Sequence, residues 1–272
     1  MARISLYDYQ LDAVKRMKNG CILCGGVGSG KSRTSLAYYY KEQGGRLNTD
    51  TYVPMKQPRD LYIITTARKR DTLEWEGELT PFLLSTNPEA SRYKNKVVVD
   101  SWNNIKKYKD VYGAFFIFDE QRVVGSGAWV KAFLRITRRN KWILLSATPG
   151  DTWIKFYAYF TASKLVVNKT DFLSKFCVIQ TYRGFPEIVK YRNEDKLKEM
   201  WKKISTAPDT TKMLAELPEE THKTVQFKAP SIYKKTLKTR MTPDGEMLET
   251  SGALCAELRR QCFTTEKKQW VK

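Results

Sequence analysis

The sequence predicts an α/β fold, a parallel sheet covered by helices on both faces. Three observations carry that expectation. Short apolar runs alternate with stretches of helical periodicity, the signature of strand–helix–strand units. A complete phosphate-binding loop, Gly25-Gly26-Val27-Gly28-Ser29-Gly30-Lys31-Ser32, stands between the first apolar run and a helical stretch. Each later apolar run closes on a polar cluster, and in parallel sheets ligands collect at the carboxyl ends of the strands.

The elements follow in order. Residues 4–18 repeat Leu6, Tyr9, Leu11, Val14 and Met17 at helical spacing, with the pair Tyr9-Gln10 one helix ahead of the glycine-rich loop. Residues 20–24 form the first strand and residues 34–40 the helix after the loop. Residues 42–60, with Gly44, Gly45, Asn48, Pro54 and Pro58, read as a long polar loop. Residues 61–65 are a buried strand, and Thr65-Thr66-Ala67-Arg68 leads into one helix carrying Leu73, Trp75, Leu79 and Phe82. A loop over 85–96 precedes a strand at 97–100 and the cluster Ser101-Trp102-Asn103-Asn104. A strand at 114–118 ends in Asp119-Glu120-Gln121-Arg122. Trp129, Val130, Phe133, Leu134 and Ile136 mark a helix face. A strand at 142–146 ends in Ser146-Ala147-Thr148-Pro149-Gly150. Beyond residue 230 the reading is a helix over 231–240, a turn at 242–245 and a helix over 246–262. The expected division is a nucleotide-binding domain at 1–229 and a helical connector at 230–272.

Composition narrows the function. Against 29 acidic residues stand 48 lysines and arginines, a formal net charge of +19. Such an excess points to a polyanionic partner, nucleic acid first, rather than to a small metabolite; the competing reading is a basic surface kept for solubility. No apolar run has the length of a membrane span, and the first residues lack the apolar core of a signal peptide, so the expected compartment is the cytoplasm and no membrane partner is expected. Five cysteines, an odd number, are expected as thiols. Cys21 and Cys24 make a C-x-x-C, but no second pair follows and the single histidine, His222, is remote; two small core residues are the favoured reading over a zinc or redox site.

The motifs define a chemistry. Glycines at Gly25, Gly28 and Gly30 let backbone N–H groups face phosphate oxygens, Lys31 brings positive charge to the β- and γ-phosphates, and the Ser32 hydroxyl is a ligand for Mg²⁺. A helix starting at the lysine adds the positive end of its dipole. Asp119-Glu120 supplies two carboxylates at one strand end: Asp119 to hold Mg²⁺ and Glu120 to orient the attacking water. A pair of solvated acids closing a strand is the alternative.

The order Tyr9-Gln10, Gly25 to Ser32, Thr65 to Arg68, Ser101-Trp102, Asp119 to Arg122 and Ser146 to Thr148 resembles the first, RecA-like lobe of superfamily 2 helicases and translocases. Within them it looks most like the Swi/Snf-type branch and its compact bacteriophage helicases. Trp75 and Glu78, Asp171-Phe172-Leu173-Ser174-Lys175-Phe176, and residues 213–218 before a strand at 224–227 support the branch. The likeness covers nearly the whole chain, tightly at the motifs and loosely over 151–230.

The resemblance implies that Gln10 contacts adenine and that Gly25, Gly28, Ser29, Gly30, Lys31 and Ser32 hold ATP. It implies Mg²⁺ on Ser32 and Asp119, hydrolysis by Lys31, Asp119 and Glu120, and coupling to the DNA track by Ser146 and Thr148. Thr65, Thr66, Arg68, Ser101 and Trp102 would lie along the nucleic-acid backbone, contacts that read no sequence. For Thr65, Thr66 and Ser101 helix N-capping is the alternative, and for Trp102 packing. Two departures stand out. Gln121 and Arg122 replace the Ala-His usual after the two acids, and Cys24-Gly25-Gly26 stands where the branch often has an acid. Such motors need a second RecA-like lobe with an arginine finger, and Arg259-Arg260 lacks the family's context for one. The expectation is a first lobe plus connector, binding ATP and DNA with weak or absent hydrolysis by itself, in the host cytoplasm if phage-encoded. A DNA-binding or recruitment module that keeps the fold without cycling ATP is the second reading; a kinase-type phosphotransferase leaves Ser146-Ala147-Thr148 and the basic charge without a role.

Overall fold

The computed structural model describes residues 4–120, 123, 125–182, 185–209, 211 and 230–262. By compactness the chain divides into two units, Met1–Glu216 and Leu217–Lys272.

The first unit is built on a six-stranded sheet. Its strands are β1 (Ile22–Cys24), β2 (Leu61–Thr65), β3 (Val97–Ser101), β4 (Phe115–Asp119), β5 (Lys141–Ser146) and the short β8 (Ser205–Thr206). Their order is β3-β2-β4-β5-β1-β8, and every neighbouring pair is parallel. Alternation along each strand sends successive side chains to opposite faces and divides the core in two. Tyr62, Ile64, Phe116, Phe118, Trp142 and Leu144 pack on one face with helices α5 (Ala128–Thr137), α6 (Tyr157–Ala162), α7 (Lys169–Phe176) and α8 (Glu194–Ile204). Leu23, Leu61, Ile63, Phe115, Ile117 and Leu145 pack on the other with α1 (Asp8–Arg16) and α2 (Lys31–Glu42). Both faces are covered, so strands read as unbroken apolar runs. This is the α/β architecture the alternation of runs predicts.

The single helix expected after β2 is two. α3 (Ala67–Asp71) ends, Leu73 takes a left-handed φ of 54°, and α4 (Glu74–Leu79) begins after it. Trp75 and Leu79 of α4 are still buried, which preserves the apolar spacing despite the break. Glu78 of α4 accepts from Arg33 of α2 at 2.7 Å and ties the two helices together. Asn168 caps α7, its side chain accepting from the Asp171 N–H, while Phe172 and Phe176 enter the core.

Two further features had no counterpart in the sequence reading. β8 spans only two residues beside β1. β6 (Cys177–Tyr182) and β7 (Phe185–Tyr191) form a separate antiparallel hairpin with a register shift between Val178 and Ile179.

In the second unit the helix Ser231–Thr239 ends at Arg240, whose φ is 55°. Met241 and Met247 bridge across a turn in which Gly245 has φ 91°. The last helix runs Ser251–Gln261, its N–H of Ala253 donating to the Thr250 side chain. It starts later than 246 because Met247 is spent on the bridge and Leu248 N–H donates to Arg240 C=O. The expectations at Gln121-Arg122, 213–218, His222 and the strand 224–227 lie outside the described residues. Among the described residues no helix is long and apolar enough to cross a membrane.

Candidate nucleotide site at the carboxyl edge of the sheet

Register places the motifs side by side. Cys24 pairs with Ser146, Asp119 with Leu145, and Thr65 with Ser101, so the strand ends are level. β5 lies between β1 and β4. From its end, Ser146 C=O accepts the Gly25 N–H and Leu145 C=O accepts the Glu120 N–H, both at 3.2 Å. The phosphate loop and the acid pair therefore hang from consecutive carbonyls of one strand.

The loop has the shape its glycines allow. Gly28 and Gly30 have φ of 79° and 70°, conformations that cost other residues about 1–2 kcal/mol. A Cβ at Gly30 would stand 2.3 Å from Gln10 Nε2, so Gln10 packs against the loop itself. Gln10 is buried, and its Oε1 accepts the Tyr7 N–H at 3.1 Å as part of the α1 capping box. Ser29 Oγ donates to Gly26 C=O at 2.9 Å and braces the turn. Lys31 Nζ donates to Gly25 C=O and Gly26 C=O at 2.7 and 2.6 Å. Burial lowers the pKa of this ammonium, while Asp119 and Glu120 act in the opposite sense. Ser32 follows in the first turn of α2, half-buried.

The acid pair holds a cation of the protein's own. Lys69 Nζ, on α3, lies 3.2 Å from Asp119 Oδ2 and 2.7 Å from Glu120 Oε1. Thr65 Oγ1 donates to the same Asp119 oxygen at 2.8 Å. Asp119 is almost wholly buried, and burial raises its pKa although Lys69 and Thr65 pull the other way. Lys69 has a raised pKa: burial disfavours its charge, but the two carboxylates outweigh burial. Glu120 is exposed and adopts a left-handed φ of 57°, which turns its side chain out of the strand line. Sequence reasoning missed Lys69. Its only signal was its place three residues beyond Thr66, where the first turn of a helix leaves β2 toward β4.

The expected nucleic-acid residues differ in exposure. Arg68 is exposed. Thr66 caps α3, its side chain accepting the Lys69 N–H at 3.3 Å. Thr65 and Ser101 are buried. Trp102 is 4% exposed, and its indole N–H donates to Asp119 C=O at 2.8 Å. Next to it Asp100 gathers hydrogen bonds from Tyr108, Asn104, Ser101 N–H and Arg70. Burial would raise the Asp100 pKa, and these donors together hold it below the usual carboxylate value. At the end of β5, Ser146 is buried and its Oγ accepts the Thr148 N–H at 3.2 Å, while Thr148 is exposed. Cys21, buried, and Cys24, half-buried, are free thiols whose pKa values burial pushes up to about 11 and about 12.

The donor set fits a nucleotide with its divalent cation. Open glycine backbone at Gly26 and Gly28, where an added Cβ meets nothing within 4 Å, leaves room for phosphates. The Lys69 ammonium between Asp119 and Glu120 marks the place where the carboxylates seek positive charge. The fold is RecA-like, a parallel sheet with helices on both faces. The Sulfolobus solfataricus SWI2/SNF2 ATPase core in complex with double-stranded DNA matches at TM-score 0.55 and 15% identity, over 96% of this chain and 57% of its own. The S. solfataricus SWI2/SNF2 ATPase core domain matches at TM-score 0.54 and 15% identity, over 96% of this chain and 56% of its own. The Pyrococcus furiosus Hef helicase domain matches 66% of this chain and 41% of its own at 18% identity, with TM-score 0.41. No protein-family model and no curated protein matches the chain. The chain thus spans little more than half the length of the SWI2/SNF2 cores whose fold it shares.

Proposed function

We propose that the chain is the ATP-binding motor lobe of a DNA translocase or helicase, working with a second RecA-like lobe in cis or in trans. The observation that carries this reading is the cation-seeking acid pair set beside an anion-seeking loop on one strand's carbonyls. Phosphoryl transfer needs both parts. Residues 1–229 are assigned to the motor lobe and 230–272 to a connector, with the compact bacteriophage helicases as the expected kin and the cytoplasm as the compartment.

In this reading Gln10 contacts the adenine, and Gly25, Gly28, Ser29 and Gly30 surround the phosphates. Lys31 leaves the Gly25 and Gly26 carbonyls for the γ-phosphate, exchanging two neutral acceptors for a charged one. Ser32 and Asp119 hold Mg²⁺, which when bound offsets charge on the transferring phosphoryl group. Lys69 must then release Asp119, and Glu120 is freed to orient the attacking water and accept its proton. Ser146 and Thr148 relay the state of the site. Arg68 and the α3 amino end touch the DNA backbone, while Thr65, Thr66, Ser101 and Trp102 hold that edge in place.

The Lys69 contact also favours the second reading, a DNA-binding module that does not cycle ATP, because it neutralises the pair hydrolysis requires. One experiment separates them: ATP turnover with single-stranded DNA, duplex DNA and no DNA, comparing the chain with Lys31→Ala and Glu120→Gln. The motor reading expects Lys31→Ala to lose nucleotide binding and Glu120→Gln to keep binding while losing any turnover. Indifference of both binding and turnover to both substitutions refutes it.

A further inference from the structure

At the edge of the sheet opposite the phosphate loop, the segments entering the strands leave a hollow of about 540 Å³. Lys141 opens β5 there, and Ile204 ends α8 just before β8. Seven lysines and arginines line this hollow and no carboxylate does. Two of them are engaged: Arg59 donates to Gly113 C=O at 2.8 Å, and Lys141 pairs with Glu42 at 2.9 Å. Lys18, Arg138, Arg139, Lys164 and Lys203 have no ion-pair partner among the described residues. Arg138 also lines two adjoining hollows, one with Lys131 and with Arg135, which pairs with Asp110, and one with Lys164 and the ion pair Lys175–Asp171. The three share that residue and make a basic trough.

Helix ends account for part of this charge. Arg138 follows the last turn of α5 and Lys203 stands in the last turn of α8, where cations favour the helix dipole. Lys18 and Lys164 each follow the C-cap of a helix, Met17 of α1 and Ser163 of α6, so helix ends bring them here too, and they add like charge to the same hollow. Crowded unpaired cations repel one another, and a polyanion relieves them. The shape suits a polymer, since hollows joined through one arginine exceed what a single phosphate fills. Trp142 borders the trough but is 2% exposed, so it offers no ring face for a base. Recognition here is therefore of backbone charge, without sequence preference.

We propose that this trough is a second nucleic-acid contact, taking the phosphodiester backbone of DNA at the far edge of the lobe from the nucleotide loops. A strand of five or six residues separates the two edges by about 16–20 Å, so the contact is spatially distinct from the acid pair and independent of ATP. A single DNA molecule long enough to bend around the lobe, or a second segment, could occupy it.

The test measures binding of a fluorescent duplex and a fluorescent single strand to the full chain across a range of salt. The triple substitution Arg138→Ala, Arg139→Ala, Lys203→Ala is compared with wild type, with binding of a fluorescent ATP analogue as the control. The expected result is a loss of at least about tenfold in DNA affinity at low salt and a salt slope shallower by about 2 to 3, near 0.9 for each phosphate contact, with nucleotide binding unchanged. Should the triple variant fold poorly, amine acetylation of the wild-type chain with and without duplex gives the same answer: DNA protects Lys18, Lys164 and Lys203. Unchanged affinity and slope, or equal acetylation with and without DNA, overturns the proposal. So does displacement of nothing but a polyglutamate probe, which assigns the trough to an acidic polypeptide. A Lys31→Ala chain that loses nucleotide but keeps trough-dependent DNA binding leaves this inference standing whatever becomes of the motor reading.

Discussion

Lys69→Met keeps the aliphatic stem of the side chain and removes the charge that bridges the acid pair. In the intact protein that ammonium lies 3.2 Å from Asp119 and 2.7 Å from Glu120, with only 2% of the Asp119 side chain exposed but 46% of Glu120. Breaking one partner of a fully buried pair costs about 3–5 kcal/mol, and an exposed pair contributes about 0–1 kcal/mol. Lys69 itself is 21% exposed, so the Asp119 contact falls between these limits and the Glu120 contact near the lower one. The substitution should therefore cost about 2 kcal/mol, or about 4–8 °C in melting temperature for a unit of this size. The carboxylates it leaves uncompensated should bind a divalent cation more strongly. The assay is thermal unfolding with and without millimolar Mg²⁺, no nucleotide added. Wild type should respond little to Mg²⁺, and the variant should recover most of its deficit. A variant that melts with wild type, or one that Mg²⁺ shifts no more than wild type, refutes the picture of Lys69 as the resident counter-ion of the acid pair.

Gly30→Ala should lower stability by about 2–3 kcal/mol, combining the left-handed cost of about 1–2 kcal/mol with displacement of Gln10 and loss of its bond from Tyr7 N–H; equal stability in chemical denaturation would count against the packing of Gln10 on the loop. Asp119→Asn should melt above wild type at pH 7, because the folded-state pKa of Asp119 is raised and its charge is therefore disfavoured there. The advantage should shrink as pH falls through the folded pKa, where wild type takes up its proton, and vanish below the unfolded value; a gap that widens toward acid would reverse the assigned sign. Trp102→Phe should destabilise by about 1–3 kcal/mol, since it leaves the Asp119 carbonyl without its buried donor, and should leave DNA affinity nearly unchanged. A large affinity loss at intact stability would place the indole on the nucleic acid instead.

Much of this architecture was legible in the amino-acid order because the sheet is buried on both faces. Runs such as Phe115-Phe116-Ile117-Phe118 read as interior strands, and β1 to β5 of the parallel sheet fall where such runs fall. The glycine-rich loop and the two acids were legible for a chemical reason, the narrow choice of residues at each position. What escaped notice has equally plain causes. Two-residue β8 carries no period at all. The hairpin β6–β7 is mostly exposed, so its apolar residues Ile179, Phe185 and Val189 alternate with nothing a core would enforce. The break at Leu73 is a backbone event at a residue that ordinarily continues a helix. Lys69 escaped because its partners lie 50 and 51 residues away in sequence, and a lysine on a short helix ordinarily faces water.

The two bonds to β5 set a mechanical limit. Gly25 and Glu120 are each tethered by an amide to neighbouring carbonyls, Ser146 and Leu145. Sliding the loop relative to the acids would break at least one tether, each worth about 1 kcal/mol, and would disturb the strand core beneath. The backbone of the site is thus a yoke, stiff across its width. The parts free to swing are the ammonium arms, Lys31 folded onto its own loop and Lys69 laid across the carboxylates. In the proposed reading, the arrival of a nucleotide would be a change of two handholds on an unmoving frame.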